Sequence, residues 1–200
     1  MGVLITDLKH CINVTMKLIT FLSTLVSLDE REINFLSSLI KTETFEKGSF
    51  YIRNNQTCNK VSFVNEGLFK MSMIDDDGKE KIIEFLSASQ FVTDYISFLT
   101  RKPTDCDIVA LKSSIVESIN FFDLQKIYEH SANFQKIGRL LAEQNFIMFA
   151  ERIKNLTKPS QERYKILCKN SNFVQNVPQY MIASYLGVSA EWLSKIRSKQ

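Results

Sequence analysis

The stretch that most constrains this chain is its C-terminal run from Val177 to Gln200. Pro178 suits a first helical turn, where its missing N–H leaves no bond unmade. Ile182, Ala183 and Leu186 follow at helical spacing, and Gly187 stops the run as a residue free to take positive φ. Ser189 can then cap a second helix with Trp192, Leu193 and Ile196 on its apolar side. Two short helices about a Gly-containing turn make a helix-turn-helix, with the second helix shaped to enter a major groove. The outward positions are Ser189, Ala190, Glu191, Ser194, Lys195 and Arg197, with Lys199 just beyond. Lys and Arg can bond guanine or phosphate oxygens, Glu can accept from cytosine, and Ser can bond either. The same spacing also fits a plain helical hairpin that closes a domain.

Charge separates the two readings. The chain of 200 residues has a net charge of only +3, yet residues 151–200 hold nine Lys/Arg against three Asp/Glu. The first 150 residues balance to −3. A basic quarter around a helix-turn-helix is the electrostatic footprint of a duplex binder, although a charge run can also be a solvated face.

Cys11, Cys58, Cys106 and Cys168 are scattered without a C-x-x-C pair, so reduced structural thiols are expected rather than a zinc or iron–sulfur site. His10 and His130 lie far from any ligand partner at metal-binding spacing and are expected on the surface. The apolar run Leu18–Leu28 is too short for a bilayer, which needs about 20 residues. No export signal stands out, so a cytoplasmic location is expected.

Residues 4–40 read as helical, with a clear start at Ser27-Leu28-Asp29-Glu30. From Thr44 the period becomes two: Phe50 and Ile52, Val61 and Phe63, then Phe69, Met71 and Met73 alternate with polar residues. Apolar runs at Ile82–Leu86, Ile108–Leu111 and Ile115–Ile119 continue the series. Short strands at such spacing point to a jelly roll. Asp75-Asp76-Asp77-Gly78 nearly fits a calcium loop, but the flanks alternate as strands do, and Asp77-Gly78 is tight-hairpin chemistry.

Asp123 is the expected cap of a short helix over 124–130. A long helix follows over 133–156, whose apolar stripe includes Phe134, Ile137, Leu141 and Met148, flanked by Leu140, Phe149 and Ile153. That width suits a helix touching its own domain and a second subunit, with a buried monomer helix as the alternative. Pro159 ends it, and a further helix runs over 160–169. The class is α+β: a β jelly-roll domain over 1–130, a connecting helix over 131–157 and a helix-turn-helix domain over 158–200.

This order resembles the Crp/Fnr family of bacterial transcription regulators. The carriers are Phe45-Glu46-Lys47-Gly48-Ser49, Val61–Gly67 followed by Phe69-Lys70-Met71, Asp77-Gly78-Lys79-Glu80, and the helix-turn-helix. The resemblance implies a cyclic-nucleotide-binding-like sensor domain and a homodimer joined through the long helix at Ile137, Leu141 and Met148. It also implies double-stranded DNA read at palindromic sites, with RNA polymerase and a small effector as further partners. The base-reading positions would be Ala190, Glu191 and Lys195. Ala190 lacks the basic group of the best-known members, so their operator does not carry over.

Cyclic-nucleotide-binding members carry a Gly-Glu pair and, about ten residues on, an Arg for the cyclic phosphate. Here Asp94 stands for the Glu, while Thr104 and Asp105 lie where the Arg belongs. An anionic Asp105 repels a phosphate, and losing a charge-assisted bond forfeits about 1.5–3 kcal/mol. Cyclic AMP is therefore not expected as effector, and no cofactor is expected. Arg101 and Lys102 are expected to be exposed. The cysteine cluster of iron–sulfur members is missing too.

No nucleophile triad, phosphate loop or H-E-x-x-H motif marks an enzyme. A ligand-binding sensor module without DNA binding is the alternative function. A sugar- or metal-binding enzyme on the jelly roll is disfavoured, because residues 44–120 contain no histidine.

Overall fold

The computed structural model describes residues 17–170 and 174–197. The N-terminal region contains helices α1 (Leu18–Leu25) and α2 (Glu30–Leu39), separated by a short extended break; Cys11, His10 and the earlier part of the expected helix lie outside the described residues. Asp29 starts α2 through a reciprocal cap: its carboxylate accepts from Glu32 N at 2.8 Å, and Glu32 accepts from Asp29 N at 3.0 Å.

Eight strands follow: β1 (Lys41–Phe45), β2 (Phe50–Ile52), β3 (Lys60–Glu66), β4 (Leu68–Ile74), β5 (Glu80–Ser87), β6 (Phe91–Val92), β7 (Asp107–Ala110) and β8 (Ser114–Asn120). A six-residue helix, α3 (Tyr95–Thr100), stands between β6 and β7. The strands form two antiparallel sheets, ordered β1-β8-β3-β6 and β2-β7-β4-β5, as a jelly roll requires. The β4–β5 hairpin turns at Asp75–Gly78, with Gly78 at φ +74 and Gly78 N bonded to Asp75 O at 2.9 Å. Asp75 Oδ1 accepts from Asp77 N and Lys79 N, so that carboxylate serves the turn.

The sequence reading of half-buried strands fails in the central strands β3 and β4. Adjacent residues of β3 and β4 enter different cores. Val64 and Phe69 join Phe98, Ile108 and Val116 between the sheets. Phe63 faces outward into a core with Leu18, Leu22, Leu36, Phe134 and Ile137. Leu68 faces outward from the other sheet. Both sheets are thus covered by helices on their outer faces.

Helix α4 (Phe121–His130) is capped by Asn120, whose side chain accepts from Asp123 N at 2.9 Å; Asp123 is the third residue of the helix rather than its cap. The exposed His130 ring stacks on Phe35 at 3.8 Å. Helix α5 (Ala132–Leu156) starts at Ser131, which accepts from Phe134 N, and carries the chain to α6 (Ser160–Asn170), a 3-10 turn (Val174–Asn176), α7 (Gln179–Leu186) and α8 (Ala190–Arg197). Cys58 and Cys106 are buried free thiols and Cys168 is an exposed one.

Gly67 joins β3 to β4 at φ +127, where an added Cβ would lie 2.1 Å from Ser114 Oγ and 2.8 Å from Ser114 Cα. Backbone strain and overlap act together there, so Gly67→Ala should cost about 2–4 kcal/mol. Urea unfolding should show a lower midpoint with an unchanged slope.

Candidate nucleic-acid interface and sensor site

Helix α7 starts after Pro178, which occupies the cap position with an extended ψ of 139°. It ends in a Schellman arrangement around Gly187 at φ +66: Val188 N bonds Ala183 O at 3.0 Å and Gly187 N bonds Ser184 O at 3.1 Å. Two residues on, Ser189 Oγ accepts from Trp192 N at 3.1 Å and opens α8. Leu193 is wholly buried, and Trp192 and Ile196 pack against the same core. The opposite face carries Ser189, Ala190, Glu191, Ser194, Lys195 and Arg197, all exposed; Lys199 lies outside the described residues. Hydrogen bonds from its own N–H and from Ser189 hold the Glu191 carboxyl below its ordinary range.

Two serines and a glutamate therefore share one helix face with two cations, while the apolar face is anchored. The anchor is the outer face of the second sheet. Leu68, Ile82 and Phe85 form one core with Tyr164, Leu167, Met181, Ile182, Leu186 and Leu193. Ser184 Oγ accepts from Ile82 N at 3.0 Å and donates to Glu80 O at 3.1 Å, closing the free edge of β5.

The long helix divides its stripe. Of the residues expected on a subunit interface, Ile137 is 4% exposed inside its own protomer and Leu141 is half-buried. The N-terminal helices α1 and α2 cover that half of α5. Met148 is exposed, and beside it Phe146, Phe149, Ile153 and Leu156 form an exposed apolar ridge at i, i+3, i+7, i+10 spacing. Phe146 is 72% exposed and Phe149 61% exposed, so the ridge is a contiguous apolar patch facing water.

In the β-sandwich domain, Asp94 is buried and caps α3, its Oδ1 accepting from Ile96 N at 3.1 Å and Ser97 N at 3.2 Å. Thr104 is buried as well, with its Oγ1 accepting from Cys106 N at 3.0 Å and its backbone paired with Asn55 and Gln56. Asp105 is exposed and accepts from the Cys106 thiol at 3.2 Å. Burial first, and then Asp105, push that thiol up to about 12.

Arg101 is not the exposed cation expected of it. It sits at φ +60 at the C-terminal end of α3, and its guanidinium donates to Cys58 O at 2.8 Å, to Phe98 O at 3.0 Å and to Asn59 Oδ1. It also lies 4.3 Å over the Phe121 ring. One side chain thereby ties α3 to the β2–β3 loop and to the start of α4. Beside it opens a cleft of about 440 Å³ lined by Tyr51, Ile52 and residues 56–60. The Lys60 ammonium at its rim is paired with Glu43 at 2.5 Å. Sequence reasoning missed Arg101 because no local pattern marks a left-handed arginine; its loop partners Cys58 and Asn59 are some 40 residues upstream. No group of potential metal ligands occurs among the described residues, and no helix there is long and apolar enough to cross a membrane.

Residues 42–131 match the family model of the cyclic nucleotide-binding domain, spanning all eight strands and the helix α4. The full arrangement is similar to a structure described as a Crp/Fnr-family transcriptional regulator from Eubacterium rectale, with TM-score 0.65 and 16% identity over 86% of this chain and 83% of that one. The chain has the Crp/Fnr fold. FixK2 from Bradyrhizobium japonicum shares it at TM-score 0.63 and 16% identity, over 80% of this chain and 83% of that one. So does the c-di-GMP-responsive global regulator CLP from Xanthomonas campestris, at TM-score 0.62 and 14% identity, over 86% of this chain and 91% of that one. No curated protein sequence matches. Placed on the Crp/Fnr fold, Asp94, Thr104 and Asp105 flank α3, and each is engaged within the chain.

Replacing Arg101 removes three hydrogen bonds at once and should cost about 1–3 kcal/mol. Arg101→Gly should be less harmful than Arg101→Ala by about 1 kcal/mol, because glycine alone relieves the positive φ. Paired denaturant titrations check the order.

Proposed function

We propose that the chain is a DNA-binding regulator of transcription that acts as a homodimer on palindromic sites, in the cytoplasm. The observation that carries this reading is α8, whose apolar side is fixed in a core while Ser189, Ala190, Glu191, Ser194, Lys195 and Arg197 face solvent. Lys195 and Arg197 supply positive charge for phosphates and base edges, and Glu191 and the serines supply acceptors and donors. An interface of this size binds weakly alone, so a second copy supplies much of the avidity. Two such helices about one turn of DNA apart would read two half-sites.

The second copy would pack on the apolar ridge of Phe146, Phe149, Ile153 and Leu156, with Met148 beside it. In this reading the interface lies about three turns further along α5 than Ile137 and Leu141. RNA polymerase is a further partner of this reading.

For the sensor domain, the reading is that cyclic AMP is not the effector. Asp94 spends its carboxylate on helix capping, and Thr104 and Asp105 offer no cation to a phosphate. What supports a sensor at all is the cyclic nucleotide-binding domain itself and its open cleft. No cofactor enters this reading.

Selection of duplexes from a random pool should return a palindrome. On that duplex, Lys195→Ala with Arg197→Ala removes two cations from each protomer of the dimer, and should weaken binding at least ten-fold and flatten the dependence of log K on log salt by about four. Equal binding by wild type and double variant would remove the helix-turn-helix from the function. Separately, Phe149→Glu should convert a dimer to a monomer in sedimentation velocity while leaving the thermal unfolding of the β-sandwich in place.

A further inference from the structure

Strand β5 is bulged. Met71 pairs with Glu84 and Ser72 with Ile82, so Ile83 is an extra residue with no partner across the ladder. The bulge lets Ile82 and Phe85, three residues apart, face the same outer core. Ile83 is half-buried at this irregularity, and its carbonyl accepts from outside the ladder. Arg152, reaching over from α5, donates to that carbonyl. The same guanidinium lies 3.5 Å from Glu84 Oε2 and 5.8 Å from the centre of the Tyr185 ring. Tyr185 belongs to α7 and packs on Phe85 at 5.5 Å. Its neighbour Ser184 holds the β5 backbone at Ile82 and Glu80.

One guanidinium therefore joins three parts of the chain: the long helix, the bulged edge of the sensor sheet and the first helix of the helix-turn-helix. We propose that Arg152 is a positioning residue that latches the α7–α8 unit to the β-sandwich of its own protomer, holding α8 in one pose without any bound ligand. Arg152 lies at the border of the apolar ridge, next in sequence to Ile153, so the element that would carry the second copy also carries the latch. The docked pose leaves every described residue of the α8 outward face exposed, so the latch presents that face rather than covering it. Burial raises the Glu84 carboxyl, and the Arg152 charge beside it acts in the opposite direction. A lysine would keep the charge but not the fork that reaches carbonyl and carboxylate together.

The test uses the full chain and two readouts; the second of them rests on the DNA-binding reading above. Hydrogen exchange in Arg152→Ala should accelerate at least ten-fold in residues 80–85 and 179–186, while amides of β3 and β8 keep their wild-type rates. Glu84→Gln, which spares the Ile83 contact, should shift the same amides in the same direction by less. Affinity for the selected duplex should fall about ten-fold in Arg152→Ala, with retention on random duplex unchanged, because pose rather than charge at the interface is lost. Wild-type exchange in α7 and β5 of both variants would overturn the latch and leave the apolar core and the Ser184 bonds as the anchor. Accelerated exchange with undiminished specific affinity would overturn the positioning role. If wild type itself selects no duplex, the DNA-binding reading fails, and the exchange result alone decides the latch.

Discussion

The outer face of the second sheet is apolar, and the rest of the molecule is arranged around keeping water from it. Leu68, Ile82 and Phe85 would each forfeit on the order of 1.5–3 kcal/mol if left wet. The C-terminal helices cover them, and the same contact fixes α7 through Met181, Ile182 and Leu186. Burial of the sheet and orientation of the helix-turn-helix are thus one packing event. The β5 edge imposes a second demand, since its backbone groups need partners that no further strand supplies. Ser184 and Arg152 meet it with side-chain atoms, which turns a nonspecific apolar contact into a defined register between α7 and the sheet.

Helix α5 resolves two competing demands by dividing its length. Its first turns are absorbed by α1, α2 and α4, with Phe134 and Ile137 in the N-terminal core. Gly138 permits this approach: a Cβ there would meet the Tyr128 ring at 2.7 Å. Beyond Leu141 the covering helices end, and the apolar side chains of Phe146, Phe149, Ile153 and Leu156 face outward. The same sequence periodicity therefore produces a core segment and an exposed ridge, depending only on which neighbours reach it.

The β-sandwich domain shows the same economy at a smaller scale. A helix of six residues is marginal by itself, since nucleation is unfavourable and few bonds follow it. Asp94 caps its start and Arg101 clamps its end, so polar groups that could serve a ligand are used to hold α3 in place. Ser97 adds to this by accepting from Cys58 N and donating to Lys102 O. Such a segment stays ordered through contacts within the chain.

Much of the fold was legible because local chemistry is short-ranged. Gly187 after Leu186 and Ser189 before Trp192 mark helix ends through bonds made within five residues, and alternation marks strands wherever one face is wet. Asp77-Gly78 was readable as a turn for the same reason. Three features were not readable: the cap at Asn120, the burial of Ile137, and the role of Arg101. Asn120 and Asp123 are equally good capping residues, and strand β8 decided which one came first. By itself, then, the sequence determined the order of elements, the helix-turn-helix and the basic C-terminal quarter. Only the tertiary structure decided which apolar residues stayed exposed and which polar side chains were consumed internally. Those outcomes depend on neighbours up to about a hundred residues away, as Ser184 and Ile82 are, and no local period encodes such a distance.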